Sequence, residues 1–175
     1  MAYTYSKLAD TTVGAGGASA ITFNNIPQNY TDLILKISAR TNRADGVGFD
    51  NINLQFNGSA IGYSMRLLYG TGTNALSVNS STTAATFQYA TSSNATTATF
   101  GNSELYIPNY TGNTLKSFIS DSAAENNSTG NNDTILALSV SLWSNTTAIN
   151  RITLTGASNF AQYSTATLYG IRVEL

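Results

Sequence analysis

From Asp32 to Arg40 the chain reads DLILKISAR, with Leu33, Leu35, Ile37 and Ala39 set against Asp32, Lys36, Ser38 and Arg40. A period of two sends the two sets to opposite faces of a pleated strand, a pattern that the 3.6-residue turn of a helix does not reproduce. Ile52, Leu54 and Phe56 repeat the alternation. Leu105 with Ile107, and Leu115, Ser117 and Ile119, give shorter runs, and Ile149, Ile152 and Leu154 follow. Tyr169, Ile171, Val173 and Leu175 close the chain as one set, with Arg172 and Glu174 facing the other way. No window of a dozen residues keeps an i, i+3, i+4, i+7 stripe, and the many β-branched Thr, Val and Ile residues suit a pleated surface. Roughly eight to ten short strands are the usual load of a sandwich or jelly roll. The fold class expected is therefore all-β, an antiparallel β-sandwich, jelly-roll-like. It forms one domain over residues 1–175, with 1–17 as an extended N-terminal arm.

Local signals refine this picture. Ile34 interrupts the polar set of its strand, which implies that part of the outer face is covered. Asn57-Gly58 after Phe56 is a strong hairpin signal, because a type I′ turn needs positive φ at both central positions. Thr134 to Trp143, TILALSVSLW, is continuously apolar enough to read as a central strand covered on both faces. The polar segments Ser77–Thr99 and Asp121–Asp133 read as long loops or edge strands, with Phe87 and Tyr89 marking a strand in the first. The run Val13 to Ala18, VGAGGA, lacks the lysine of a phosphate-binding loop and opens no helix, so it reads as a connection between strands.

Composition narrows function. The chain has no histidine, no cysteine and 10% charged residues, while Asn, Ser and Thr make up roughly a third of it. Proton transfer, nucleophilic attack and metal activation mostly draw on the groups that are missing or scattered here, so the reading is of a non-enzymatic protein with no cofactor. A net charge of −1 and a pI near 5.1 argue against nucleic acid as partner, which calls for a concentrated basic surface. No apolar stretch approaches the roughly 20 residues of a membrane helix. The opening MAYTYSKLAD has no basic segment leading into an apolar run, and no secretory signal is expected.

Four basic residues stand out as a docking group: Lys36 and Arg40 on one strand face, Arg43 in the following loop, and Arg66. Such a group can fix orientation on an acidic protein surface through bidentate Arg–carboxylate pairs; the plainer alternative is a solvated outer face. Asp45 with Asp50, and Asp121 with Glu125 and Asp133, fall in oxygen-rich loops of the kind that hold calcium, but neither follows an EF-hand pattern and solvated turns explain them. Tyrosine occurs ten times, with Tyr30, Tyr63, Tyr69, Tyr89, Tyr106, Tyr110, Tyr163 and Tyr169 at or near strand ends and loops. Its rigid ring and hydroxyl suit interfaces and sugar stacking, and they equally suit the edge of a core.

Ser19 to Arg40, SAITFNNIPQNYTDLILKISAR, resembles a recurrent opening of bacteriophage virion proteins: an Ile-x-Phe strand, an Ile-Pro turn, then Tyr-Thr-Asp-Leu and an alternating strand. Ile149 to Leu175, INRITLTGASNFAQYSTATLYGIRVEL, is similar to their ending, although its Gly156 is displaced from the usual Gly-Asn-Phe turn. The resemblance covers the two ends and leaves the middle unmatched. It implies a structural protein of the virion surface, made in the host cytoplasm, most simply a jelly-roll capsid decoration (cement) protein. Its partners are then the major capsid protein and itself, as a homotrimer that uses tyrosines and the Thr134–Trp143 or C-terminal strand, with Met1 to Gly17 as a docking arm. The alternative it leaves open is a tail-fibre or receptor-binding module that recognises host glycans through loops rich in Tyr and Asn.

Overall fold

The alternating segments fold as strands and pair into two antiparallel sheets that face each other. The computed structural model describes residues 3–72, 74–82, 84–126 and 134–173, and among them are twelve strands and no helix. The larger sheet runs β1 (Tyr3–Thr12), β12 (Thr165–Val173), β3 (Asp32–Ala39), β8 (Gly101–Ile107), β9 (Lys116–Ala124), β10 (Ile135–Trp143), β5 (Tyr63–Gly70) and β6 (Ala75–Thr82). The smaller runs β2 (Ala18–Phe23), β11 (Ile152–Phe160), β4 (Phe49–Phe56) and β7 (Ala85–Thr91).

Setting β5–β6 and β9–β10 aside, the chain pairs its ends progressively inward. β1 lies on β12, β2 on β11, β3 on β8 and β4 on β7. This is one long hairpin rolled up so that successive strands fall in alternate sheets, the topology of a jelly roll. Two further hairpins, β5–β6 and β9–β10, are inserted into the roll. Both add to the larger sheet beyond β8, because β9 pairs with β8 and β10 with β5. They extend that sheet from four strands to eight.

The inner faces carry the core. Leu33, Leu35 and Ile37 of β3 and Ile52, Leu54 and Phe56 of β4 are buried, as their alternation implies, and Ile21, Phe23, Ile152, Leu154, Leu105 and Leu168 join them. At one end four rings tie the sheets together. Phe56 from the smaller sheet lies 5.1 Å from Phe118, 5.6 Å from Trp143 and 6.3 Å from Tyr63, all three on the larger sheet. The Tyr63 hydroxyl accepts a hydrogen bond from the Phe56 backbone N–H at 2.7 Å.

Burial pushes the Tyr63 phenol up to about 12, outweighing the opposing effect of the Phe56 N–H. The unfolded chain gives up this proton near pH 10 while the folded chain still holds it. Stability that is fully present below pH 10 is therefore lost as pH climbs toward 12. Burial raises Tyr89 and Tyr110 in the same direction, so the Tyr63→Phe variant is expected to flatten the alkaline fall in urea stability without abolishing it. An unchanged alkaline slope in that variant would contradict the assignment.

Four expectations are corrected. Residues 3–12 of the proposed arm form β1, paired with β12 from Tyr3↔Val173 to Thr12↔Thr165; backbone pairing along that length holds the segment in the sheet. Met1 and Ala2 lie outside the described residues. The Asn57-Gly58 turn is present, with φ of 52° and 69° and a closing Ser59 N–H to Phe56 carbonyl bond of 2.9 Å, but β4 and β5 enter different sheets and make no hairpin. The Asn57 side chain is bound elsewhere, donating to the Ala148 carbonyl and accepting from the N–H groups of Asn150 and Arg151. Third, the phase of β12 is reversed: Ala166, Leu168 and Gly170 face the core. Gly170 is required there because a Cβ would meet the Tyr30 ring at 2.5 Å. Tyr169 and Ile171 lie on the other face of the sheet, where Ile171 is nonetheless buried as expected, and the Val173 side chain and Leu175 lie outside the described residues. The fourth concerns β10, whose outer face is uncovered; its residues form the surface described next. The two polar segments do contain edge strands and strand ends: β6 and β7 are the edges of their sheets, and β9 runs on to Ala124. Asp133 and the Phe87 side chain lie outside the described residues.

Candidate interaction surface

In β10 the sequence Ile135-Leu136-Ala137-Leu138-Ser139-Val140-Ser141 alternates in an unexpected sense. Ile135, Ala137, Ser139 and Ser141 face inward and are buried, while Leu136, Leu138 and Val140 face outward and are 67%, 54% and 49% exposed. Neighbouring strands repeat this: Ser120 and Ser122 of β9 are buried while Ile119 is exposed, and on β5 Leu68 is exposed. The small inner residues have a structural cause. Strand β7 lies against the inner face of β8, β9, β10 and β5, and the buried Gln88 side chain donates to the Glu104 and Asp121 carbonyls. On this side the Ser120 and Ser139 hydroxyls hydrogen-bond to each other, with their Oγ atoms 2.6 Å apart.

The register of the four strands arranges their outer side chains in rows. Across β9, β10, β5 and β6 one row reads Asp121, Leu138, Leu68 and Ser77, and the next reads Ile119, Val140, Arg66 and Asn79. A third reads Ala123, Leu136, Gly70 and Ala75. Asp121 and Arg66 are exposed, and among the described residues neither is part of an ion pair. Leu68, Tyr69, Gly70, Leu136 and Leu138 surround a shallow apolar depression on this half of the face.

The other half of the same outer face, over β1, β12, β3 and β8, differs in chemistry. Lys7, Tyr169, Ile34 and Tyr106 form the continuation of the Ile119 row. Ile34 is 6% exposed between the two tyrosines, which is the cover its position in the sequence implied. Lys36 pairs with Glu104 at 2.7 Å and Lys7 with Asp10 at 2.8 Å, and each carboxylate raises its lysine's pKa chiefly through the hydrogen bond.

The four basic candidates do not converge. Lys36 and Arg66 share the outer face but lie four strand spacings apart, about 19 Å. Arg40 spends its guanidinium on the Ala95, Thr96 and Thr99 carbonyls at 2.9–3.1 Å, and burial lowers its pKa. Arg43 forms a bidentate pair with Asp45, both contacts 2.8 Å, and reaches the Phe49 carbonyl. Its own pKa rises and that of Asp45 falls, both chiefly through this hydrogen bond. Asp50 is fully buried and accepts from the N–H groups of Asn51 and Ser158. Arg40 and Arg43 therefore hold loops in place. Among the described residues no three acidic side chains converge as a metal site would need.

A second concave region lies at one end of the sandwich, bordered by Arg40, Asn42, Phe100, Gln162 and Tyr163. Tyr163 is 67% exposed and has a φ of 70°, a conformation that bulky residues seldom adopt. Tyr63, Tyr89 and Tyr110 are buried, so the tyrosines divide between core and surface.

The sequence offers Thr134–Trp143 as an interface strand without showing which of its residues turn outward. The signal is confined to phase: in TILALSVSLW the serines share the phase of Ala137 and Trp143 and the leucines share the phase of Val140. No protein-family model, no curated protein and no solved structure matches the chain.

Proposed function

We propose that this chain is a non-enzymatic structural protein of a bacteriophage virion, a decoration protein that binds the outside of the capsid shell and stabilises it. The observation that carries the reading is the uncovered outer face of the larger sheet, where leucines are exposed while serines are buried. Exposed apolar patches larger than a few hundred Å² mark interaction sites on soluble proteins. The similarity of Ser19–Arg40 and Ile149–Leu175 to virion proteins supplies the setting. Docking falls to the other end of this face, over β1, β12 and β3, where Lys36 and Tyr169 present a mixed aromatic and charged surface to the major capsid protein. Arg40 and Arg43 have no part in it, since their guanidinium groups are committed to loops. A protein that binds the assembled shell but not its free subunits stabilises the shell by mass action.

Particles stripped of the protein should lose their genome at a lower temperature than intact particles, and adding it back should restore the difference. Copy number per virion, counted by mass spectrometry, should run to hundreds. A fibre or receptor-binding module for host glycans is the second reading. It is favoured by the end cleft, where the exposed Tyr163 ring stands beside the exposed amides of Asn42 and Gln162. Stripped particles that keep their heat stability but fail to adsorb to cells would replace the first reading with the second.

A further inference from the structure

We infer that the aliphatic part of the outer face of the larger sheet, centred on β10 and running from β8 to β6, is covered by the same part of a second copy of this chain, packed face to face about a two-fold axis. The inference rests on the reading of the uncovered face as an assembly surface and adds the identity of its occupant.

Three features favour a second copy. The first is the chemistry of the centre. Leu136, Leu138 and Val140 lie consecutively along the outside of β10, with Leu68 and Ile119 on either side. A partner must offer an equally flat aliphatic face, and this sheet itself is such a face.

The second is charge. An axis running along β10 places β9 of one copy over β5 of the other, and β8 over β6. Asp121 then projects onto Leu68 of the second copy, which is one row from Arg66. Rows on one face of a strand are about 6.8 Å apart, within the reach of an arginine side chain. Two symmetry-related Arg66–Asp121 pairs form at the borders of the apolar centre, and each joins charges that have no ion pair among the described residues of their own copy. Because an isologous contact uses one patch twice, a patch carrying both an acid and a base at suitable positions is self-complementary.

The third is size. About this axis the five strands β8, β9, β10, β5 and β6 meet their counterparts, and five strands about 4.8 Å apart with three rows about 6.8 Å apart give a footprint of about 500 Å². Two such faces bury about 1,000 Å², the lower bound of a specific interface, so the pair is reversible and of moderate affinity. The arrangement is a pair and not the homotrimer expected from the sequence. Packing a face on its own copy requires a two-fold axis, whereas a threefold ring joins two different patches.

The test is sedimentation equilibrium of the full chain without any capsid present, over a range of concentrations. A monomer–dimer equilibrium in the micromolar range is expected. Leu138→Asp should raise the dissociation constant at least ~100-fold, as loss of a central anchor does. Because Leu138 is already half exposed, the far-ultraviolet circular dichroism and melting temperature should stay close to wild type. Arg66→Asp and Asp121→Arg should each weaken the dimer about tenfold, and the two changes combined in one chain should restore it, since each reversed charge again meets its opposite across the axis. A wild-type chain that stays monomeric at about 100 μM, a concentration far above a micromolar dissociation constant, would overturn the inference. So would a trimer indifferent to Leu138→Asp, or a double variant no better than its parents. A monomer that still binds and stabilises shells removes the pair and leaves the decoration reading standing. A dimer with the expected charge rescue but no affinity for shells does the reverse.

Discussion

Replacing Phe56 by alanine is expected to lower stability by about 3–5 kcal/mol, a large share of what holds a domain of this size together. Phe56 is fully buried on the last turn-ward position of β4, and its ring touches Phe118, Tyr63 and Trp143 across the space between the sheets. Removing it leaves a cavity bounded by three large rings that are themselves held on separate strands and cannot readily collapse inward. Phe56→Leu keeps most of the volume and should cost about 1–2 kcal/mol. Urea unfolding with a lowered midpoint and an unchanged slope would locate the loss in the native packing. A loss below about 1 kcal/mol for the alanine variant would show that the ring cluster is not a principal tie between the sheets.

Lys116→Met should cost about 2–4 kcal/mol, although it replaces a buried charge with an apolar side chain of similar length. Lys116 is 1% exposed, and its ammonium donates to the carbonyls of Gly112, Thr114 and Thr146 at 2.5, 2.6 and 3.1 Å. Burial lowers its pKa, so the charged form is held at some cost. Two effects oppose each other in the substitution. Methionine relieves the desolvation of the ammonium, but it removes three charge-assisted bonds and leaves three carbonyls of one loop cluster without their donor. A hydrogen bond to a charged group contributes about 1.5–3 kcal/mol and three are lost together, so the second effect outweighs the first. The same urea measurement decides, and a methionine variant as stable as wild type would mean that water replaces the ammonium without loss.

The sequence by itself was sufficient for the fold class and for most of the core. Leu33, Leu35 and Ile37, and Ile52, Leu54 and Phe56, point inward because side-chain alternation is a property of any strand, whatever its neighbours. The Asn57-Gly58 turn was legible for a similarly local reason: positive φ at two successive positions is a requirement on those two residues alone. What the turn connects was not legible. Whether the chain leaving it pairs with β4 or crosses to the other sheet depends on partners far along the chain, and here β5 finds β10. The phase of β12 was read inversely for a related reason, since Gly170 faces inward only because Tyr30, 140 residues away, fills the space where a side chain would sit.

The candidate site separates along the same line. Sequence distance grouped Lys36, Arg40 and Arg43, but tertiary structure gave the two arginines to loop carbonyls and to Asp45, and carried Arg66 four strands from Lys36. The apolar run from Thr134 to Trp143 pointed to a central strand, and β10 is one, between β9 and β5. It could not say which faces are covered, because apolar content records a demand for burial and not the element that meets it. Only the packing of β7 beneath β10 decided that the serines turn inward and the leucines outward, leaving along one side of the sheet a surface whose burial this chain does not complete alone.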